Sequence, residues 1–133
     1  MSAQPVSSSG AIPMPPLTPE GLRAAVARLV PSRLDELNEH LVHAATQAQE
    51  LNSITPLRSF TEYWGIVVAV ERDPVRAARF HELEAVVDSG LDAEAARAAV
   101  TEIGALVDAA RAEVLAVNPS TDHTTARLRS AGE

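Results

Sequence analysis

Apolar residues recur along this chain at alternating steps of three and four. Leu34, Leu37, Leu41, Ala44, Ala48 and Leu51 form one series; Val100, Ile103, Val107, Ala110, Val114 and Val117 form another. Such steps return to one face of a 3.6-residue helix, so each series predicts an amphipathic helix. Phe80, Leu83 and Val87 repeat the pattern over a shorter stretch. Helix starts are marked by Thr18-Pro19-Glu20, Thr55-Pro56 and Asp73-Pro74. In each, a capping oxygen precedes a proline whose missing N–H is harmless in the first turn. Ser32 with Asp35, and Asp92 with Glu94, mark two weaker starts, and Ser89-Gly90 marks a stop. Five helices are expected, over residues 19–29, 33–52, 56–72, 74–88 and 92–117.

One stretch breaks the pattern. YWGIVVAV, residues 63–70, carries no charge and is rich in β-branched side chains. Propensity alone favours a strand. No other segment reads as a strand, however, and a lone strand leaves its backbone groups unpaired. Leu57, Phe60, Trp64 and Val67 carry a helical stripe into the run, and Tyr63, Ile66 and Val70 widen it. A helix that is apolar nearly all round is a buried one. The stretch is therefore expected to be the central helix, with Gly65 permitting a close neighbour. The surviving strand reading is a ribbon-helix-helix dimer, whose DNA-reading strand needs polar alternate positions that this run lacks.

Composition narrows the function classes. The chain has 133 residues, enough for one domain and its tails. It has no cysteine, which removes disulfides, thiol nucleophiles and cysteine-held zinc. All eleven basic residues are arginine, so no lysine is present to form a Schiff base. A net charge of −7 disfavours general nucleic-acid binding. A membrane span needs about 20 apolar residues, far more than YWGIVVAV provides. The N-terminal residues lack a secretory pattern, so the expected location is the cytoplasm. Residues 1–17 are rich in proline and serine and read as a disordered leader; residues 119–133 read as a flexible tail. The folded domain is expected over residues 18–118.

Candidate chemistry is sparse. Glu36, His40 and His43 share a helix face at spacings that suit a metal, and His81 with Glu84 is a second acidic–imidazole pair. No H-E-x-x-H is present, so an exposed polar helix face is the simpler reading. G-x-S-x-G, G-x-x-x-x-G-K and G-x-G-x-x-G are all absent, and nothing calls for a cofactor. Arg72, Arg76 and Arg79 form a basic stripe that can face an acidic partner or a phosphate. Asp73 and Glu82 stand three residues from Arg76 and Arg79, so local pairing is the competing account. Trp64 and Tyr63 are candidate interface anchors or, as the better-favoured alternative, core residues.

Residues 53–84, SITPLRSFTEYWGIVVAVERDPVRAARFHELE, resemble a family of small all-helical proteins of unknown function from high-GC Gram-positive bacteria. The shared order is a T-P start, a tryptophan with an apolar run, E-R-x-P, and an Arg/Ala-rich helix. Some similar proteins lie near toxin-like genes, which implies an antitoxin-like or regulatory role. The sequence thus points to an all-α bundle of about five helices with disordered N- and C-terminal tails. Its expected role is non-enzymatic binding of another protein or of itself. A metal-binding protein or enzyme using His40 and His43, and a DNA-binding regulator using the arginine stripe, are the alternatives.

Overall fold

The computed structural model describes residues 11–117. Thr18 opens α1 (Pro19–Leu29), its Oγ1 accepting the Gly21 N–H at 3.0 Å. A single 3-10 turn, Pro31–Arg33, leads into α2 (Leu34–Leu51) in place of the expected Ser32 cap. Asn52 ends α2 in the left-handed region, at φ 52°, a conformation asparagine tolerates. The next helix, α3 (Thr55–Glu71), starts one residue earlier than its threonine–proline pair suggests. Ser53 rather than Thr55 supplies the oxygen, accepting the Thr55 N–H at 3.1 Å. Asp73 caps α4 (Pro74–Ser89) through the Val75 and Arg76 N–H groups. Gly90, at φ 63°, reverses the chain, and Asp92 caps α5 (Ala93–Val117) through Glu94 and Ala95.

YWGIVVAV lies inside α3, and α3 touches each of the other four helices. The fold is all-α, with no strand among the described residues. Two apolar clusters meet on α3. Leu22, Val26, Leu37, Ala44, Phe60, Trp64 and Val68 join α1, α2 and α3; Ala69, Val70, Ala110 and Val114 join α3 to α5. Each large side chain fully buried here contributes about 1.5–3 kcal/mol. Gly65 makes the approach of α5 feasible, since a Cβ there would stand 3.2 Å from a Val114 methyl carbon. No helix among the described residues is long and apolar enough to cross a membrane.

The N-terminal boundary needs correction. Residues 1–10 and 118–133 of the expected tails lie outside the described residues. Residues 11–17, assigned by sequence to a disordered leader, lie against the bundle. Met14 and Leu17 pack on both apolar clusters. Ile12 exchanges backbone hydrogen-bonding groups with Arg72: its N–H donates to the Arg72 carbonyl, and its own carbonyl accepts from the Arg72 guanidinium at 2.6 Å. The prolines between them prevent a helix, so no periodicity marks this segment as part of the core.

Candidate functional site

Trp64 is fully buried and offers no contact surface, so it is a core residue and not an interface anchor. Its indole N–H donates to Nδ1 of His40 at 2.9 Å, and the His40 ring meets Phe60 edge-on at 5.1 Å. The Arg33 guanidinium lies 4.8 Å from the Trp64 ring and donates to the Tyr63 hydroxyl at 2.9 Å. Tyr63 remains half exposed and is the one aromatic of the pair available at the surface.

The candidate metal face, weighed against a plain polar helix face, does not assemble. Glu36 turns to Arg33, making two hydrogen bonds of 2.9 Å, and this pairing lowers its pKa below the usual carboxylate value. His40 turns inward to Trp64, while His43 stays exposed. His81 is held by Glu71 at 2.6 Å and Glu84 at 3.2 Å. Among the described residues no three histidine, aspartate or glutamate side chains converge to hold a metal ion.

The arginine stripe also divides. Arg72 ends α3 and does not belong to α4. Arg72 and Arg76 both close on Glu113 of α5, at 2.8 and 2.7 Å, and are only 20% and 14% exposed. Arg76 further donates to the Ala69 carbonyl at 2.6 Å. Arg79 is exposed but held by Glu102 and Glu82. Local pairing is thus half right: Glu82 does bind Arg79, but Asp73 caps the helix and the partner of Arg76 comes from α5. Hydrogen bonds from Arg76 hold the Glu113 carboxyl below its ordinary pKa, against the opposing effect of burial.

A different surface stands open. Val42 on α2 is 67% exposed and Ile54 before α3 is 60% exposed. Together with Ala45, Thr46, Gln49 and Leu57 they line a shallow groove of about 690 Å³ where α2 turns into α3. Val42 and Thr46 also line an adjoining hollow of about 470 Å³ beside Glu39 and His43. The groove walls carry no charged side chain; Glu39 borders the adjoining hollow, and the exposed Arg58 directly follows Leu57. Residues 34–57 contain Asp35, Glu36, Glu39 and Glu50 and no arginine or lysine. Only Glu36 has a cationic partner among the described residues; Asp35, Glu39 and Glu50 have none. Sequence reasoning missed this surface because it followed the buried stripe of α2. The signal was present in Val42 and Ile54, two large apolar residues that no stripe uses.

Comparison with protein-family models, with curated proteins and with solved structures gave no significant match.

Proposed function

We propose that this is a non-enzymatic binding protein whose α2–α3 groove receives a basic amphipathic segment of another protein. The observation that carries the reading is the exposed Val42–Ile54 surface beside Glu39, a carboxylate without a cationic partner among the described residues. Apolar side chains standing in water favour burial, and unpaired carboxylates select a cationic partner and speed its encounter. An antitoxin-like role is the specific form this takes, with the apolar groove and the neighbouring Glu39 covering a basic effector. Self-association is disfavoured by the net charge of −7 that each copy would bring to the contact. A DNA-binding role loses its principal support, since Arg72 and Arg76 are spent on Glu113.

The test is affinity capture from the native host, comparing the wild-type chain with Val42→Arg/Ile54→Arg. A stoichiometric basic protein held by the wild type and lost by the variant is the expected result. Equal capture by both chains would reject the groove. A dimer broken by the same double substitution would replace the foreign partner with a second copy.

A further inference from the structure

A second concavity, remote from the α2–α3 groove, lies among α3, α4 and α5 and has the composition of a small-molecule site. Its volume is about 500 Å³, within the ~300–1,000 Å³ typical of ligand pockets. Ile66, Val67 and Val70 of α3, Phe80 of α4 and Val107 of α5 form its apolar walls. Its polar groups fall into two sets: Arg33 bonds Tyr63 while Arg111 bonds the adjacent Glu62, and Glu71 and Glu84 both hold His81.

The arginine end has donors to spare. Arg33 spends Nε and one terminal nitrogen on Glu36 and Tyr63, and its other terminal nitrogen makes no hydrogen bond among the described residues. Arg111 reaches Glu62 and Asp108 only at 3.3 and 3.4 Å, and its second terminal nitrogen is likewise unused. Each arginine thus keeps one terminal nitrogen for a further acceptor, and the two together can hold one carboxylate. At the opposite end, the Glu71 and Glu84 carboxylates flank the two ring nitrogens of His81 at 2.6 and 3.2 Å. That end repels a second anion and accepts a hydroxyl donor.

We propose that this cleft binds an organic acid with an apolar body and a hydrogen-bond donor at its far end. The carboxylate lies between Arg33 and Arg111, the body over Val67 and Val70, and the donor beside Glu71. Length sets the size of the ligand. Tyr63 and Glu71 are eight residues apart on α3, about 12 Å at 1.5 Å per residue. That span is matched by an extended chain of about ten carbons.

The chain carries its own reporter, because its one tryptophan lies under the Arg33 guanidinium. Titration of 10-hydroxydecanoate against the full chain should change Trp64 emission saturably, with calorimetry giving the same affinity. Decane-1,10-diol lacks the carboxylate, and decanedioate places a second charge against Glu71 and Glu84; each should bind at least about tenfold more weakly. Arg111→Gln, at an exposed position, should weaken the hydroxy acid to a similar extent while leaving the helical circular dichroism unchanged. Arg33→Gln tests the second donor, although it also removes the contact with Trp64. No binding of the hydroxy acid would overturn the proposal. So would equal binding of the diol or the diacid, or an Arg111→Gln protein that binds as the wild type does.

Discussion

The indole N–H of Trp64 donates to Nδ1 of His40, joining the largest buried side chain of α3 to α2 across 2.9 Å. Nδ1 is thus the acceptor of this bond. His40→Ala would leave the indole N–H unpaired in the core, at a cost of about 1–3 kcal/mol. His43→Ala, on the exposed face three residues on, should change stability by less than about 0.5 kcal/mol. Urea unfolding followed by circular dichroism separates the two. Equal losses would show that the histidines act together, as the metal reading required.

Glu113 joins α5 to the α3–α4 junction by accepting from both Arg72 and Arg76. Its carboxyl is held below the usual pKa, so the folded state binds a proton there less readily than the unfolded chain. The resulting stability is present above the ordinary carboxylate pKa and disappears as pH falls through the lowered folded value. Glu113→Gln should therefore cost about 2 kcal/mol at neutral pH and flatten the acid limb of the stability profile. Chemical denaturation repeated between pH 7 and pH 3 measures both effects. An acid limb as steep as that of the wild type would assign the acid sensitivity to other carboxylates.

Residues that act on their immediate neighbours were legible in the sequence. The Thr18, Asp73 and Asp92 caps and the Gly90 reversal each depend on groups within three residues. They place the helix ends almost as observed. The burial of α3 was also legible, because its charge-free run is apolar nearly all round, although Tyr63 and Val67 keep partial access to solvent. Interactions across the fold were not. Nothing local links Trp64 to His40, or Arg76 to Glu113, since those distances depend on how the helices cross. The α5 stripe shows the intermediate case. Val107, Ala110 and Val114 face inward as expected, but Val100 is exposed and Ala99 is buried in its place. A series with a 3.5-residue step drifts around a 3.6-residue helix, so the contact face and the apolar series part toward one end.

Val67 and Val68 are adjacent on α3 but meet different surroundings. Val68 is buried in the first core cluster, while Val67 is half buried, packs on the edge of that cluster and lines the cleft among α3, α4 and α5. Val68→Asp places an unpaired charge in the core and should cost more than about 4 kcal/mol, enough to unfold many domains of this size. Val67→Asp can turn its carboxylate to the cleft and should leave a folded protein of reduced melting temperature. Thermal unfolding of the two variants side by side gives the comparison. The opposite order would place the solvent boundary of α3 on the wrong residue.

The seating of residues 11–17 predicts a change of sign at Gly21. A Cβ at this position would stand 2.5 Å from the Pro16 carbonyl oxygen, too close for any side-chain rotation to relieve because the backbone alone fixes both atoms. Within a helix, alanine is ordinarily better than glycine by about 0.5–1 kcal/mol. In the full chain, Gly21→Ala should nonetheless destabilise, because it lifts the segment that carries Met14 and Leu17 onto the core. In a chain beginning at Thr18 the obstructing carbonyl is gone. That truncation itself should lose about 2–4 kcal/mol from uncovered apolar surface, and Ile12 no longer accepts from Arg72. On this weakened background, Gly21→Ala should become stabilising. Unfolding free energies of the four proteins complete the cycle. A substitution that stabilises the full chain as well would show that residues 11–17 do not hold this position in solution.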